Sequence, residues 1–596
     1  MKMSRISGWI ALLAFALAAC GGDEKTSTSR LDQNTIIYHW RAEPDNLHPT
    51  NGVSVPRRVI MDFTQGFLVA VDPDSLKLAP ALVKTMPEIS ADGLEFTYEL
   101  RDEPTWDNGE RLSVNDVIFS IKAFKCPLTD DAQVRPYFDM IKDVRIDSVN
   151  NRKFTVVVTS KYIQNVALFA DLPIMQESYH DKNQTLRKYS FEQFSDTAFT
   201  AATYPDVKTW ADVFNDNKFG RDPKFMNGLG PYKLSSWDAK QQLTIEKKPS
   251  HWMEKLQNKR VWENAYPDKI VFKIITDDNA VALELKKQEI DASHYLASGT
   301  LLDLQKDEAF NKNYHSAFFD NFNYQYIGMN LKPQEAGRTP LFTDVRVRKA
   351  MALLAPIDAA NKAYMFGKAN RLASCVVPTK KSVYNNDLAL VPFDPEQAKQ
   401  LLDEAGWKDT DGDNIRDKVI NGRKVQFEFE FLAMSGAGVQ EYVVKDYVAE
   451  LYKAGVKANI RSLEFVTFYE TVQKHEFDMY FGGWGGTFFY EDYKQVWHSS
   501  SWNGGNNYVG YGTAASDALI DSIRVTLDDN QRIAMEKRLQ KMIYDDQPYV
   551  FVFTNPFKGA IHRRFENATF YPERPNIYLG NLKLIPGWST MKPAAE

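Results

Sequence analysis

Residues 94–120 read LEFTYELRDEPTWDNGERLSVNDVIFS. Over the first eight, apolar Leu94, Phe96, Tyr98 and Leu100 alternate with polar neighbours, the period-two pattern of a half-buried strand. Trp106-Asp107-Asn108-Gly109-Glu110 carries turn chemistry. Ser113 stands where an N-cap belongs, ahead of the helical run VNDVIFSIKAF. Strand, turn and capped helix in one short stretch announce a mixed α/β chain.

The second half extends that reading. Asp344 opens the helix VRVRKAMALL, which Pro356 ends. Asp394-Pro395-Glu396-Gln397 combines an N-cap, proline at the first helical position and glutamine at N3. Ala398, Leu401, Leu402 and Ala405 then share one helical face. Val443, Tyr447, Val448, Leu451 and Tyr452 mark another amphipathic helix, ending at Gly455. Predicted strands at 426–432, 456–460 and 477–482 alternate with these helices, a βαβ pattern that places helices on the faces of a sheet. Nearer the start, strands are predicted at 35–40, 153–160 and 269–275, with a hairpin at 232–247. Residues 178–227 are polar and irregular and read as a long excursion over the surface. The body shows no internal repeat.

Composition limits the function classes. A length of 596 residues exceeds one ordinary domain, and 44% hydrophobic residues build large cores. Seventy-two Lys plus Arg against 78 Asp plus Glu leave a net charge of −6, which does not mark a nucleic-acid or anionic-membrane binder. Mean hydropathy of −0.42 fits a soluble body. The 12 Trp, 28 Tyr and 37 Phe are generous and need a place.

At the N-terminus, Lys2 and Arg5 precede the apolar run GWIALLAFALAA, which is too short for a permanent span and reads as a secretory signal. Leu17-Ala18-Ala19-Cys20 resembles a bacterial lipobox, which makes Cys20 a lipid anchor. The alternative is an ordinary signal cut nearby, with Cys20 incidental. Residues 21–30 read as a flexible tether. Cys126 and Cys375 read as two buried thiols, although an exported compartment also permits their pairing.

Catalytic motifs are scarce. The chain carries no P-loop, no G-x-S-x-G elbow and no H-E-x-x-H, and Gly228-Leu229-Gly230 lacks a third glycine. No metal or cofactor is implied. One acidic loop, with Asp409, Asp411, Asp413 and Asp417, is a calcium candidate. An EF-hand wants Gly at position six and Glu at twelve, where this loop has Asn414 and Ile420, so an acidic turn is the competing reading.

The segments that carry a resemblance run nearly the whole mature chain. They are Glu43-Pro44 with Leu47-x-Pro49, the opening stretch 94–120, GLGPYKLSSW (228–237), KKPSHWM (247–253), QEIDA (288–292), FTDVRVRKAMALL (342–354), FDPEQAKQLLDEAGW (393–407) and EFDMYFGGW (476–484). In this order they resemble the dipeptide- and oligopeptide-binding proteins of bacterial ABC importers, solute-binding protein family 5. The resemblance implies an α/β, two-lobed periplasmic-binding-protein-like fold of the class II type. The first lobe would take residues 35–60, 171–322 and 548–596, with an extra subdomain at 61–170. The second would take 323–547, after a signal at 1–19 and a lipidated tether at 20–34. Two crossing strands near 318–322 and 549–553 would form the hinge.

Such a protein is not an enzyme. It would be a lipid-anchored, exported monomer that closes on a peptide or other small solute and docks on an ABC permease in the inner membrane. Carried over by position, the ligand-lining candidates are Ser54 and Val55, Tyr137, Ser293 and His294, and the strand-end group Gly483, Trp484 and Gly485. One position departs from the pattern. Peptide-binding relatives place an aspartate three residues after this Trp to pair with the peptide's amine, and this chain has Thr487. Either the ligand has no such amine, or Glu491 or Asp492 supplies the charge. The rings Phe488, Phe489, Tyr490, Tyr493 and Trp497 equally suit an oligosaccharide. An exported hydrolase is the reading from another class.

Overall fold

The computed structural model describes residues 29–590, apart from Val53, residues 131–134, Ala437 and Tyr490. The signal run, Cys20 and residues 21–28 lie outside the described residues. No helix among the described residues is long and apolar enough to cross a membrane. The chain divides into two compact units. The small one pairs a 3₁₀ turn at Arg30–Asp32 with another at Trp588–Thr590, and the Ser589 N–H donates to Asp32 at 3.0 Å. The large one spans 34–584.

Within the large unit the chain folds as two α/β lobes. The first is built on a seven-stranded sheet whose strands run, in spatial order, Tyr314–Phe319, Phe557–His562, Ala292–Ser293, Thr35–Trp40, Lys269–Ile274, Gln242–Lys247 and Tyr232–Asp238. Thr35–Trp40 runs parallel to Lys269–Ile274 with Tyr38 opposite Phe272. The second lobe has a five-stranded sheet in the order Lys457–Leu463, Glu428–Met434, Met479–Trp484, Tyr324–Met329, Tyr549–Thr554. Glu428–Met434 and Lys457–Leu463 are parallel and joined by the helix Val439–Lys453, the βαβ unit expected from sequence.

The stretch 94–120 folds as its pattern predicts. Glu95–Glu99 is a strand with alternating burial in a four-stranded sheet, and Val114–Lys125 is the helix. Ser113 and Asp116 form a reciprocal capping box. The Asp116 carboxylate also accepts the Glu177 N–H at 2.8 Å.

Two expectations change. Residues 178–227 are not a surface excursion. Phe191, Phe194, Phe199, Trp210 and Phe214 are buried in the same cluster as Phe96, Tyr98 and Phe154 of the four-stranded sheet. Phe191, Phe194 and Phe199 belong to short turns and irregular chain with no period, whereas Val207, Trp210, Ala211 and Phe214 recur at i, i+3, i+4 and i+7 along the helix Pro205–Phe214. Much of the aromatic excess is spent here. The strand Tyr549–Thr554, expected in the first lobe and its hinge, lies in the second sheet, paired with Tyr324–Met329. The chain therefore crosses between lobes at 320–323 and 555–556, where the Asn321 Nδ2–H donates to the Asn555 carbonyl at 2.5 Å. Cys126 and Cys375 are buried thiols in separate clusters.

Asp291 and Arg564 stitch the first lobe together. Both side chains are fully buried, and Arg564 donates twice to the carboxylate, at 2.8 and 2.9 Å. The same carboxylate accepts the Ile37 N–H at 2.8 Å. Breaking a buried pair strands a charge, so Asp291→Ala should cost ~3–5 kcal/mol. Chemical denaturation measures this. A loss below about 1 kcal/mol, the scale of an exposed pair, would show that the lobe does not need it.

Candidate functional site

The strand Met479–Trp484 ends at Trp484, and the loop after it is where the lobes meet. Trp484 stacks between Tyr326 (6.0 Å between centroids) and Tyr508 (5.8 Å), and Tyr326 stacks in turn on Tyr549 at 3.9 Å. The ring is thus one layer of a column anchored in the second sheet. A Cβ on Gly486 would fall 2.3 Å from the Phe322 carbonyl oxygen, so the loop passes the crossing segment closer than any side chain allows. The Gly486 N–H donates to Asn323 Oδ1 at 3.0 Å. Gly483 pairs with Gln325, while Gly485 and Thr487 are exposed.

Beyond Thr487 both lobes grip the loop. The Phe488 N–H donates to Glu573 Oε2 at 2.8 Å, on the C-terminal segment of the first lobe. Lys380 of the second lobe donates to the Phe489 carbonyl at 2.9 Å and to Glu491 at 2.6 Å. Asp492 pairs with Arg524 at 3.0 Å and accepts from the Tyr162 hydroxyl at 2.9 Å. The Ile163 N–H donates to the Arg524 carbonyl at 2.9 Å, a second bond across the same seam. Both loop carboxylates proposed as amine anchors are therefore ion-paired to protein cations. Tyr490 lies outside the described residues.

Beside this loop lies a cavity of about 110 Å³. Phe489 enters it from the second lobe, and Arg58, Asp62, Asp171, Glu573 and Arg574 line it from the first. Arg58 pairs with Asp62 at 2.9 Å and with Asp171 at 2.6 Å, and lies over the Phe67 ring at 4.2 Å. Burial alone would lower the Arg58 pKa, yet Asp62 and Asp171 hold it above its ordinary value. Burial, with Asp171 as a like charge nearby, raises that of Glu573. A wider hollow of about 470 Å³, lined by Lys247, Glu254 and Lys259 among others, takes no residue from the second lobe.

The other candidates lie on separate elements. Ser54 caps the helix Val55–Thr64, and its hydroxyl donates to Asp45 at 2.6 Å. Val55 is exposed, as is Tyr137 on a separate turn of the subdomain. Ser293 and His294 are buried within the sheet, where Ser293 Oγ meets His39 Nδ1 at 2.8 Å and His294 Nδ1 meets the Tyr38 hydroxyl. In the acidic loop, Asp409, Asp411 and Asp413 do converge. Lys424 bonds Asp411 at 2.7 Å and Asp417 at 3.2 Å, and Asp409 accepts two backbone N–H groups, so protein donors serve these carboxylates. The seam residues Tyr162, Lys380, Arg524 and Glu573 carry no motif. Only their partners reveal them.

A family model described as bacterial extracellular solute-binding proteins, family 5 middle, matches residues 77–507. The chain belongs to this family. Among the solute-binding relatives, the oligopeptide-binding protein AppA of Bacillus subtilis is 24% identical over 581 residues, covering 94% of this chain and 95% of its own. Its structure in complex with a nonapeptide superposes with a TM-score of 0.65 at 21% identity, over 92% of this chain and 99% of that one. HbpA2 from Haemophilus parasuis gives 0.73 at 18% identity, over 92% and 100%. NikA from Brucella suis, in complex with Fe(III)-EDTA, gives 0.69 at 19%, again over 92% and 100%. Identities this low establish the shared two-lobed fold. The family is one of substrate-binding proteins found outside the cytoplasm or in the periplasm.

Burial, followed by the neighbouring His39, lowers the His294 pKa to about 3. The unfolded residue titrates near 6.5, so below that pH the unfolded chain binds a proton that the folded site refuses. Stability is full above pH ~6.5 and falls on acidification, by about 1.4 kcal/mol per pH unit for this group, until the folded pKa is reached. Denaturation curves from pH 7 to 5 should therefore be flatter by one proton in His294→Gln. An unchanged slope would show that His294 protonates while folded.

Proposed function

We propose that the chain is the solute-capturing subunit of an ABC importer. It takes peptides between its lobes and delivers them to an inner-membrane permease, held at the membrane by a lipid on Cys20. The carrying observation is the seam. A family 5 fold whose strand-end loop, 484–493, is bonded by both lobes beside a cavity is built to sense what lies between them. Capture needs no covalent step. Closure around a ligand brings polar groups from both lobes onto it and excludes water. The nonapeptide bound by the AppA relative supports a peptide as the solute.

Gly485 and Thr487, both exposed residues, would offer main-chain partners to an extended ligand, as in strand addition. Ser54, Val55 and Tyr137 would border the cleft from the first lobe.

Native mass spectrometry of the gently purified protein tests this reading. A ladder of co-purified peptides is expected. Hexose-spaced masses would replace peptide with oligosaccharide, and turnover of a bound solute would replace capture with catalysis. Asp492 gives a second test. Since Arg524 and Tyr162 already engage its carboxylate, Asp492→Ala should weaken free-amine and N-acetylated peptides alike, through loss of the seam. A loss confined to free-amine peptides would make Asp492 a direct ligand.

A further inference from the structure

A hairpin of the first lobe, Val69–Asp72 with Lys77–Pro80, turns through Pro73-Asp74-Ser75-Leu76, and Asp72 stands opposite Lys77. Asp72 builds the turn. Its carboxylate accepts the Ser75 N–H at 2.9 Å and the Ser75 hydroxyl at 3.0 Å, and its carbonyl accepts the Leu76 N–H at 2.8 Å. Arg260 pairs with the same carboxylate at 3.5 Å and ties the turn to its own lobe. Leu76 is the last turn residue, with a φ of +51°. A left-handed backbone favours glycine or asparagine, and a turn favours small or polar side chains. Leucine meets neither preference, so the turn does not explain it.

The contacts of Leu76 do. Leu78 packs on the cluster of its own lobe, whereas half-buried Leu76 packs against the second-lobe cluster that includes Tyr326, Tyr493 and Trp497. The converse contact comes from the other side. Phe489 of the second lobe, its ring 4.1 Å from that of Phe488, packs against the first-lobe cluster that includes Phe96 and Trp252. Ala70 and Val71 of the same hairpin line the cavity that Phe489 enters. Each lobe thus packs one apolar side chain on the core of the other.

We propose that Leu76 and Phe489 form a reciprocal latch, in which Leu76 is a positioning residue that sets how long the closed lobes hold a solute. The inference rests on the reading that the chain captures a solute between its lobes. Apolar burial is non-directional and follows area, so the latch holds the lobes together without reading what lies between them.

Hydrogen exchange of the full chain reads the latch without any solute. Two amides report on the seam, Phe488, which donates to Glu573, and Ile163, which donates to the Arg524 carbonyl. Leu76→Asn suits the left-handed backbone and loses the apolar reach. Both amides should then exchange about three- to tenfold faster than in the wild type, the scale of half a leucine's burial. The Ile37 amide, held inside the first lobe by Asp291, should keep its rate. Leu76→Met keeps the reach and should restore wild-type exchange at the seam. Leu76→Ala loses the reach without easing the backbone. It should match Leu76→Asn, and it covers the case in which that variant does not fold.

A mixed tripeptide pool, followed species by species by mass spectrometry, reads the consequence. All bound peptides should leave Leu76→Asn faster by one common factor of about the same size. Factors that vary with peptide sequence would make Leu76 a ligand contact and overturn the latch. Unchanged seam exchange in either folded variant overturns it as well, while leaving peptide capture intact. A rise at Ile37 equal to that at Phe488 overturns it too, since Leu76 would then support the whole lobe. Binding of no peptide overturns peptide capture, and the seam amides then decide the latch alone.

Discussion

The first lobe depends on one buried ion pair. Asp291 and Arg564 are far apart in sequence, and their side chains meet where water does not reach. Around them three strands from distant parts of the chain converge. The Asp291 N–H donates to the Ile37 carbonyl at 2.7 Å, and the His562 N–H donates to the Asp291 carbonyl at 2.7 Å. One aspartate thus uses main chain and side chain to register the first strand against a strand near the C-terminus. Such a pair gains little stability over apolar packing, but it penalises every misregistered arrangement that leaves one charge alone. For a lobe built from discontinuous segments, that selectivity matters more than its net energy.

A similar logic separates the two faces of the seam. On the second lobe every loop carboxylate has a basic partner from the protein, Lys380 for Glu491 and Arg524 for Asp492. On the first lobe Arg58 and Arg574 share Asp171, and Glu573 beside them holds the Phe488 N–H. The loop is fixed by its own ion pairs on one side and by a buried carboxylate on the other. The aromatic residues divide likewise. Those of 178–227 pack the subdomain, and the column through Trp484 stiffens the second sheet at the end that carries the loop.

What the sequence made legible was local. The capping box at Ser113, the N-cap at Asp394 and the alternation in 94–100 are signals whose partners lie within a few residues, and each became the element it announced. The family motifs extended this to the two-lobed plan. Illegible were the features whose partners lie far along the chain. Nothing near Asp492 points to Tyr162, 330 positions away. Tyr549–Thr554 reads as a strand, but which sheet takes it depends on Tyr324–Met329. Ser293 and His294 sit beside a recognisable motif, yet the strands on either side bury them.

The Asn321–Asn555 contact sets how the lobes can move. Both crossings of the chain lie side by side, tied by one side-chain amide, while each sheet is complete on its own side. Relative motion can then be absorbed by the backbone torsions of residues 320–323 and 555–556, without breaking a strand pair in either sheet. Two adjacent connections leave one easy rotation, about the line through them, and resist sliding and twisting. The loop begins against that line at Gly486 and runs out to Asp492 and Tyr162, so a small change of angle at two asparagines leaves its near end almost still and displaces its far end, as a lever amplifies motion away from its pivot.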